Sequence, residues 1–386
     1  MSTWKYLPAA LFIILAPGLT AGTLSLAFYQ HAADNIFQNR SAVPDGISAL
    51  SLSWDKEFSP FSLFAGADYS YLSHNPSLSF FNLDLGADYL HAFNKKTAFH
   101  ASLSGTGIFF REDAEDYNHA SLLFNSTLKT YLNDASILRA DYRLEYRKYG
   151  YSLFDFLSHA LTLSFDRFFR TKTTLKCELV WGNKDFLHPF EASAAEADAA
   201  GYQYGKGRGR GGTRPAPAWR SQSQGRSLRM VSLSMLAAQN LWDRAGVNIL
   251  FQRQWTISGE NPFASIEEFY MIENPTYDAF SWEGWAAGSN VTLEIPWDIE
   301  WKVGYNYSER SFPGIESLNL DGTSLGVVRN DKRHRWETRL EKNFPGFSLF
   351  ISFSRIRNAS TDLFFDWDGR FLQAGIAWSL TLGEKR

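Results

Sequence analysis

Apolar and polar residues alternate with a period of two through most of the chain, and hardly any stretch carries the 3.6-residue period of an amphipathic helix. Between Ser136 and Lys148, Arg139, Asp141, Arg143, Glu145 and Arg147 fall on one face of an extended strand, with Leu138, Ala140, Tyr142, Leu144 and Tyr146 on the other. From Ile299 to Arg310, Glu300, Lys302, Asn306 and Arg310 oppose Ile299, Trp301, Val303, Tyr305 and Tyr307. Further on, Arg333, Arg335, Glu337, Arg339 and Glu341 oppose His334, Trp336, Thr338 and Leu340. These segments run about 10 to 16 residues, against about 5 to 6 for a soluble strand. A tilted strand needs about 9 to 11 residues to cross a bilayer.

The breaks between such segments alternate in length. Candidate strands begin near Thr23, Ile47, Phe61, Leu78, Thr97, His119, Ser136, Leu157, Thr173, Ser227, Ala245, Glu283, Ile299, Lys332, Phe347 and Leu363. Short turns stand at 59–60, 94–96, 133–135, 171–172, 243–244, 297–298 and 345–346. The longer links are 31–46, 73–77, 112–118, 150–156, 184–226, 258–282, 313–331 and 357–362. Strands joined alternately by short turns and long loops are the plan of a transmembrane barrel, with turns on the periplasmic side and loops outside. Because lipid offers no partner to a free backbone N–H or C=O, such a sheet has to close on itself. The expected fold is therefore all-β, an antiparallel transmembrane barrel of about sixteen strands with both termini in the periplasm. A large secreted sandwich or propeller is the alternative; it leaves the asymmetry of turns and loops unexplained, and no blade-length repeat is visible.

Composition sharpens this picture. Aromatic residues make up 16% of the chain, and many flank the short turns: Phe58 and Phe61, Phe93 and Phe99, Phe168 and Phe169, Trp242, Trp297 and Trp301, Phe344 and Phe347. Such rings fit an interfacial girdle. A mean hydropathy of −0.27, with no long apolar run after the N-terminus, excludes a helical membrane protein. The net charge of −3 argues against a nucleic-acid partner, and the single Cys177 excludes an internal disulfide or a cysteine zinc site. Met1 to Ala21 has one Lys, an apolar stretch and then small residues, the layout of a secretory signal peptide; a buried N-terminal strand or helix is the other reading. No Cys follows the apolar stretch, which argues against a lipid anchor. The mature barrel is expected to occupy residues 22–386.

The last segment, Arg370 to Leu382, is similar to the amphipathic final strand that outer-membrane proteins present to the barrel-assembly machinery, though Gly383 to Arg386 follow it in place of a terminal aromatic. With this strand, the mature chain resembles a Gram-negative outer-membrane β-barrel protein of porin-like size. The resemblance implies a place in the outer membrane, contact with its lipids and lipopolysaccharide, delivery by the barrel-assembly machinery, and small polar solutes as cargo. The run from Asp331 to Leu380 is also similar to the closing hairpins of barrels that export surface lipoproteins or polysaccharides.

A barrel of this size encloses an aqueous channel. Arg139, Asp141, Arg143, Glu145, Arg147, Glu300, Lys302, Arg333, Arg335, Glu337, Arg339 and Glu341 are the expected pore-lining residues. They either set a transverse field that orients polar solutes or pair across strands to hold the wall, at about 0.2–1 kcal/mol per pair. Their mixed signs argue against strong ion selectivity. The longest link, 184–226, holds an acidic Ala-rich stretch (191–200) and a Gly/Arg stretch (205–212); either it is a mobile outer loop, or Arg208, Arg210 and Arg214 form a gate. The Gly/Arg stretch resembles nucleic-acid-binding tails, but a secreted chain seldom meets RNA. No catalytic, metal or cofactor site is expected: the eight His show no ligand spacing, His159 lies on an apolar strand face, and nothing beside His119 and Asp116 completes a hydrolase set. The expected function is a passive channel for small polar solutes. The alternatives are an export barrel with a separate periplasmic partner and a structural or adhesive barrel with a filled lumen.

Overall fold

The computed structural model describes residues 22–188, 227–263, 266–273 and 276–383. The expected signal segment 1–21 lies outside them, as do Arg208, Arg210 and Arg214.

In chain order the strands are β1 (Gly22–Ala33), β2 (Asp45–Phe58), β3 (Phe61–Leu72), β4 (Phe80–Ala92), β5 (Thr97–Phe110), β6 (His119–Asn133), β7 (Ser136–Tyr149), β8 (Phe156–Phe168), β9 (Thr173–Phe186), β10 (Ser227–Trp242), β11 (Ala245–Ser258), β12 (Glu283–Ile295), β13 (Ile299–Leu318), β14 (Ser324–Phe344), β15 (Phe347–Ser360) and β16 (Trp367–Leu382). Each pairs antiparallel with its sequence neighbours. Pairing of β1 with β16, from Gly22 opposite Leu382 to Ala33 opposite Phe371, closes the ring. Closure leaves no strand edge with unpaired backbone groups, which is the condition for a sheet in lipid.

The period of two sorts side chains onto the two faces of the wall. On β4, Leu83, Leu85 and Ala87 alternate with Asn82, Asp84, Gly86 and Asp88, and Leu85 stands outward with 67% of its surface uncovered. Leu122, Met235, Ile249, Trp336 and Ile351 stand outward in the same way. In water so continuous an apolar face would drive aggregation; in lipid each large side chain contributes about 1.5–3 kcal/mol.

Three of the strands' departures from expectation have a visible local cause. Pro313 and Gly314 read as a strand end, but they fall in an irregularity where the β13–β14 register shifts between Ser311 and Glu316, and both strands continue beyond it. The expected link 313–331 thus shrinks to a turn at 319–323. The first turn after Asn75, Pro76–Leu78, is a 3-10 helix, which delays β4 to Phe80. Likewise Asp362 holds the Phe364 N–H at 3.0 Å in the last outer loop, which delays β16 to Trp367.

Three apolar clusters sit at the loop end of the lumen. One gathers Ile36, Ile47, Leu72, Trp367 and Phe371; a second Phe154, Phe156, Phe186 and Phe263; a third Ile266, Phe312 and Ile315. One segment, 259–282, enters the second and third and packs Tyr270 against the first.

Candidate functional site: a strap in the lumen

Residues 259–282 connect β11 to β12. By sequence they form one more outer link; instead the segment turns inward and straps the lumen. Its composition explains the turn: Phe263, Ile266, Phe269, Tyr270, Ile272, Tyr277 and Phe280 carry more apolar surface than water tolerates on a free loop. Glycines at both ends make the inward bend. Gly259 has φ +92° and Gly284 φ +149°, and a Cβ there would stand 2.0 Å from the Ser227 carbonyl oxygen and 1.9 Å from that of Glu309. Only glycine fits so close to a neighbouring strand.

Ion pairs tie the strap to opposite walls. Strands β7 and β14 stand seven places apart in the sixteen-strand ring. On the β14 side, Arg333 pairs with Glu268 and donates to the Gln38 side-chain oxygen at 3.1 Å, while Arg310 approaches Glu268 at 4.0 Å and donates to the Tyr277 hydroxyl. Arg329 donates to the Ile266 carbonyl at 2.5 Å. On the β7 side, Arg147 pairs with Glu273 at 2.5 Å, and His119 comes within 3.7 Å of the same carboxylate. Buried Lys184 of β9 pairs with Asp278 and sits over the rings of Phe156 and Phe186 at 4.2 and 4.9 Å. Between the two walls Tyr270 meets His31 Nδ1 of β1 at 3.1 Å and stacks on Phe371 at 4.5 Å.

Burial opposes the charge of Glu268, but Arg333 and Arg310 outweigh it and hold the carboxyl below the usual carboxylate range. Burial pushes the Tyr277 hydroxyl up to about 12 and raises Tyr270 as well, so both stay neutral donors. A cavity of about 490 Å³ remains between the strap and the β7–β10 wall, lined among others by Arg143, Glu145, Ser158, Met230, Glu273 and Asp278.

The expected pore-lining residues all stand on the inward face, and carboxylates pair with their cations. Arg143 and Arg147 flank Glu145 at 2.9 and 2.5 Å; Lys302 pairs with Glu300 at 2.5 Å, Arg335 with Glu337 at 2.9 Å, and Arg339 with Glu341 at 3.0 Å. Arg139 reaches Asp166 of β8 at 3.4 Å, and Asp141 accepts from the Thr127 hydroxyl at 2.5 Å. Most of these pairs join residues two apart on one strand, where the expectation had them crossing between strands. The structure brings Arg147 and Arg333 to the strap and leaves the other expected residues on the wall. His159 faces outward between Tyr142 and Trp181, and His119 Nδ1 is held 2.9 Å from the Tyr117 carbonyl. Residues 184–186, expected in the longest link, belong to β9.

Glu268, Glu273, Tyr270, Tyr277 and Asp278 are not among the residues expected from the sequence, where 258–282 reads only as one more long link. A usable signal was present: outer loops are ordinarily polar, and 259–282 is not.

No protein-family model matches the chain, and no curated protein matches it. Solved structures do match over nearly the full length. The outer-membrane protein OprD of Pseudomonas aeruginosa is 10% identical, with a TM-score of 0.51 and 94% of each chain covered. OccAB1 of Acinetobacter baumannii is 11% identical, with a TM-score of 0.50, covering 94% of this chain and 96% of its own. At that identity the likeness concerns the fold. The closed ring with its apolar outer face and the full-length match to these barrels agree, and the chain is a transmembrane β-barrel with the fold of the Gram-negative outer-membrane porins.

Proposed function

We propose that the barrel is a passive outer-membrane channel for small polar solutes, and that the strap 259–282 sets its cross-section. The observation that carries this reading is the fixing of the strap by ion pairs at two opposed walls of a polar lumen, through Arg333–Glu268 and Arg147–Glu273. A sixteen-strand barrel without such an insertion encloses a wide aqueous passage; a strap narrows it to a selective one. The ten charged residues left on the wall then line the approach to the constriction, and their mutual pairing keeps the approach close to neutral.

A filled structural barrel is the second reading, favoured by the three apolar clusters at the loop end. Planar-bilayer recording of the purified full chain, beside a variant in which a short Gly/Ser linker replaces 263–280, separates the two. The channel reading expects an ohmic conductance that rises when the strap is removed. A silent full chain that conducts only without its strap would establish the filled barrel and overturn the channel.

A further inference from the structure

We propose that the cavity between the strap and the β7–β10 wall is a binding site for short zwitterionic peptides with apolar side chains. The inference deepens the channel reading and rests on it for the route by which a solute reaches the site. Four of the lining side chains form an unbroken row of alternating charge: Arg143 meets Glu145 at 2.9 Å, Glu145 meets Arg147 at 2.5 Å, and Arg147 meets Glu273 of the strap at 2.5 Å. The row balances in number, guanidinium for carboxylate, but its ends differ in sign. Arg143 ends it with 54% of its side chain open and Glu273 with 56%, whereas Glu145 and Arg147 between them are mostly covered. The other carboxylates at the cavity, Glu268 and Asp278, are taken by Arg333 and Lys184.

Both ends have bonding capacity to spare. Arg143 gives one N–H, from Nη2, to Glu145, and the rest of its fork has no partner among the described residues. Arg147 holds the other oxygen of Glu145 through Nε and Nη2, at 2.9 and 2.5 Å. Arg143 can therefore turn its fork to a ligand carboxylate without leaving Glu145 unpaired, and an ion pair this open is weak enough to yield. At Glu273, Arg147 and His119 both approach Oε2, at 2.5 and 3.7 Å, and Oε1 has no partner among the described residues. That oxygen suits an ammonium group.

The row also sets the length of the ligand. Arg143 and Arg147 stand four residues apart on β7, about 13 Å between Cα atoms, and both lean toward Glu145 between them. An α-amino acid carries both charges on one carbon and cannot serve both ends of such a row. The ends of two or three extended residues, about 7–11 Å apart at most, can. Midway, Ser158 of β8 stands opposite Glu145 and lines the cavity, where its hydroxyl can meet a peptide group. The rest of the lining is largely apolar, with Met230 of β10 and Phe269, Ile272 and Phe280 of the strap. At about 490 Å³ the cavity has the volume of a small-ligand pocket, about 300–1,000 Å³. A row with a positive and a negative end, beside apolar surface, selects a peptide with free termini and apolar side chains over a simple ion or a sugar.

Equilibrium dialysis of the full chain in detergent tests this with three labelled peptides: leucyl-phenylalanine, its N-acetyl form and its C-terminal amide. The variants are Arg143→Gln and Glu273→Gln, with Arg139→Gln, on the same ladder but outside the cavity, as control. Heat-shifted gel migration checks that each is folded. Wild type and control are expected to bind the free dipeptide at least tenfold more tightly than either blocked form. Arg143→Gln should bind the amide as well as the free dipeptide and still reject the N-acetyl form; Glu273→Gln should do the reverse. Equal binding of the three peptides by wild type would overturn the proposal without any variant, and so would a variant that keeps the preference at its own end of the row. Conductance of the same preparation is read separately in planar bilayers. A conducting barrel with no preference for the free dipeptide overturns the site and leaves the channel reading standing, whereas a silent barrel with that preference upholds the site and overturns the channel reading.

Discussion

Replacing Arg333 by Met should release the strap. The Arg333 guanidinium is buried, pairs with Glu268, donates to Gln38 and faces the Trp367 ring at 5.6 Å. Its loss leaves the Glu268 carboxylate with Arg310 at 4.0 Å as its remaining cation. Breaking a buried pair by removing one partner costs about 3–5 kcal/mol. Because Arg310 stays and the Glu268 side chain is 31% exposed, the cost falls below that range, at about 1–3 kcal/mol, or roughly one to two orders of magnitude in the ratio of fastened to released strap. At the other anchor the sum differs. The Glu273 side chain is 56% exposed, so its pair with Arg147 is worth at most about 1 kcal/mol. Arg333→Met should therefore give a larger and noisier single-channel conductance, and Glu273→Gln should change it little. Adding Glu268→Gln to Arg333→Met should recover much of the loss, since no buried charge is then left unpaired. Indistinguishable traces from Arg333→Met and wild type, or a stronger effect from Glu273→Gln, would refute the assignment of the anchor.

Glu268 also sets a pH dependence. Its folded pKa lies below the ordinary value, so its contribution is present above about pH 4.3 and is lost as pH falls through the lower folded value; conductance should match between pH 7 and pH 5 and rise only in stronger acid. Gly284→Ala would put a Cβ 1.9 Å from the Glu309 carbonyl oxygen, and should cost at least about 1–3 kcal/mol in urea unfolding from vesicles. Leu85→Arg places a charge on the lipid face near the middle of β4, and the same assay should show a loss of about 2–4 kcal/mol.

The barrel was legible because its two causes both act locally. A wall with lipid on one side and water on the other forces the period of two on every strand, and twelve of the sixteen observed strands start within a residue of their expected positions. Breaks signalled by Pro and Gly were ambiguous: those residues end strands at 345–346 and only shift the register at 313–314. The strap was illegible for the opposite reason. Arg333 and Glu268 are 65 residues apart, and Arg147 and Glu273 are 126 apart. Nothing local distinguishes a carboxylate that will face solvent from one that a distant guanidinium will bury. The apolar content of 259–282 was the one local trace, and it tells that a loop folds in but not where it is fastened.

The alternating signs in the ladders bear on what the strap is for. Consecutive inward residues of a strand are about 6.6–6.8 Å apart, close enough for a guanidinium to bend onto the next carboxylate. Arg143, Glu145 and Arg147 show this, as do Arg335 with Glu337 and Arg339 with Glu341. A charge paired at 2.5–3.0 Å acts at a distance as a dipole, and water in the lumen weakens it further. Such a wall sets no steep field across a wide barrel, however many arginines it has. Discrimination among solutes then needs a place where they touch protein on several sides at once. On the proposed channel reading the strap provides that place, with the half-exposed Glu273, Arg143 and the cavity edge beside one another. Selectivity should accordingly follow solute size and hydrogen-bonding pattern, and substitutions on the strap should change it more than substitutions in the ladders.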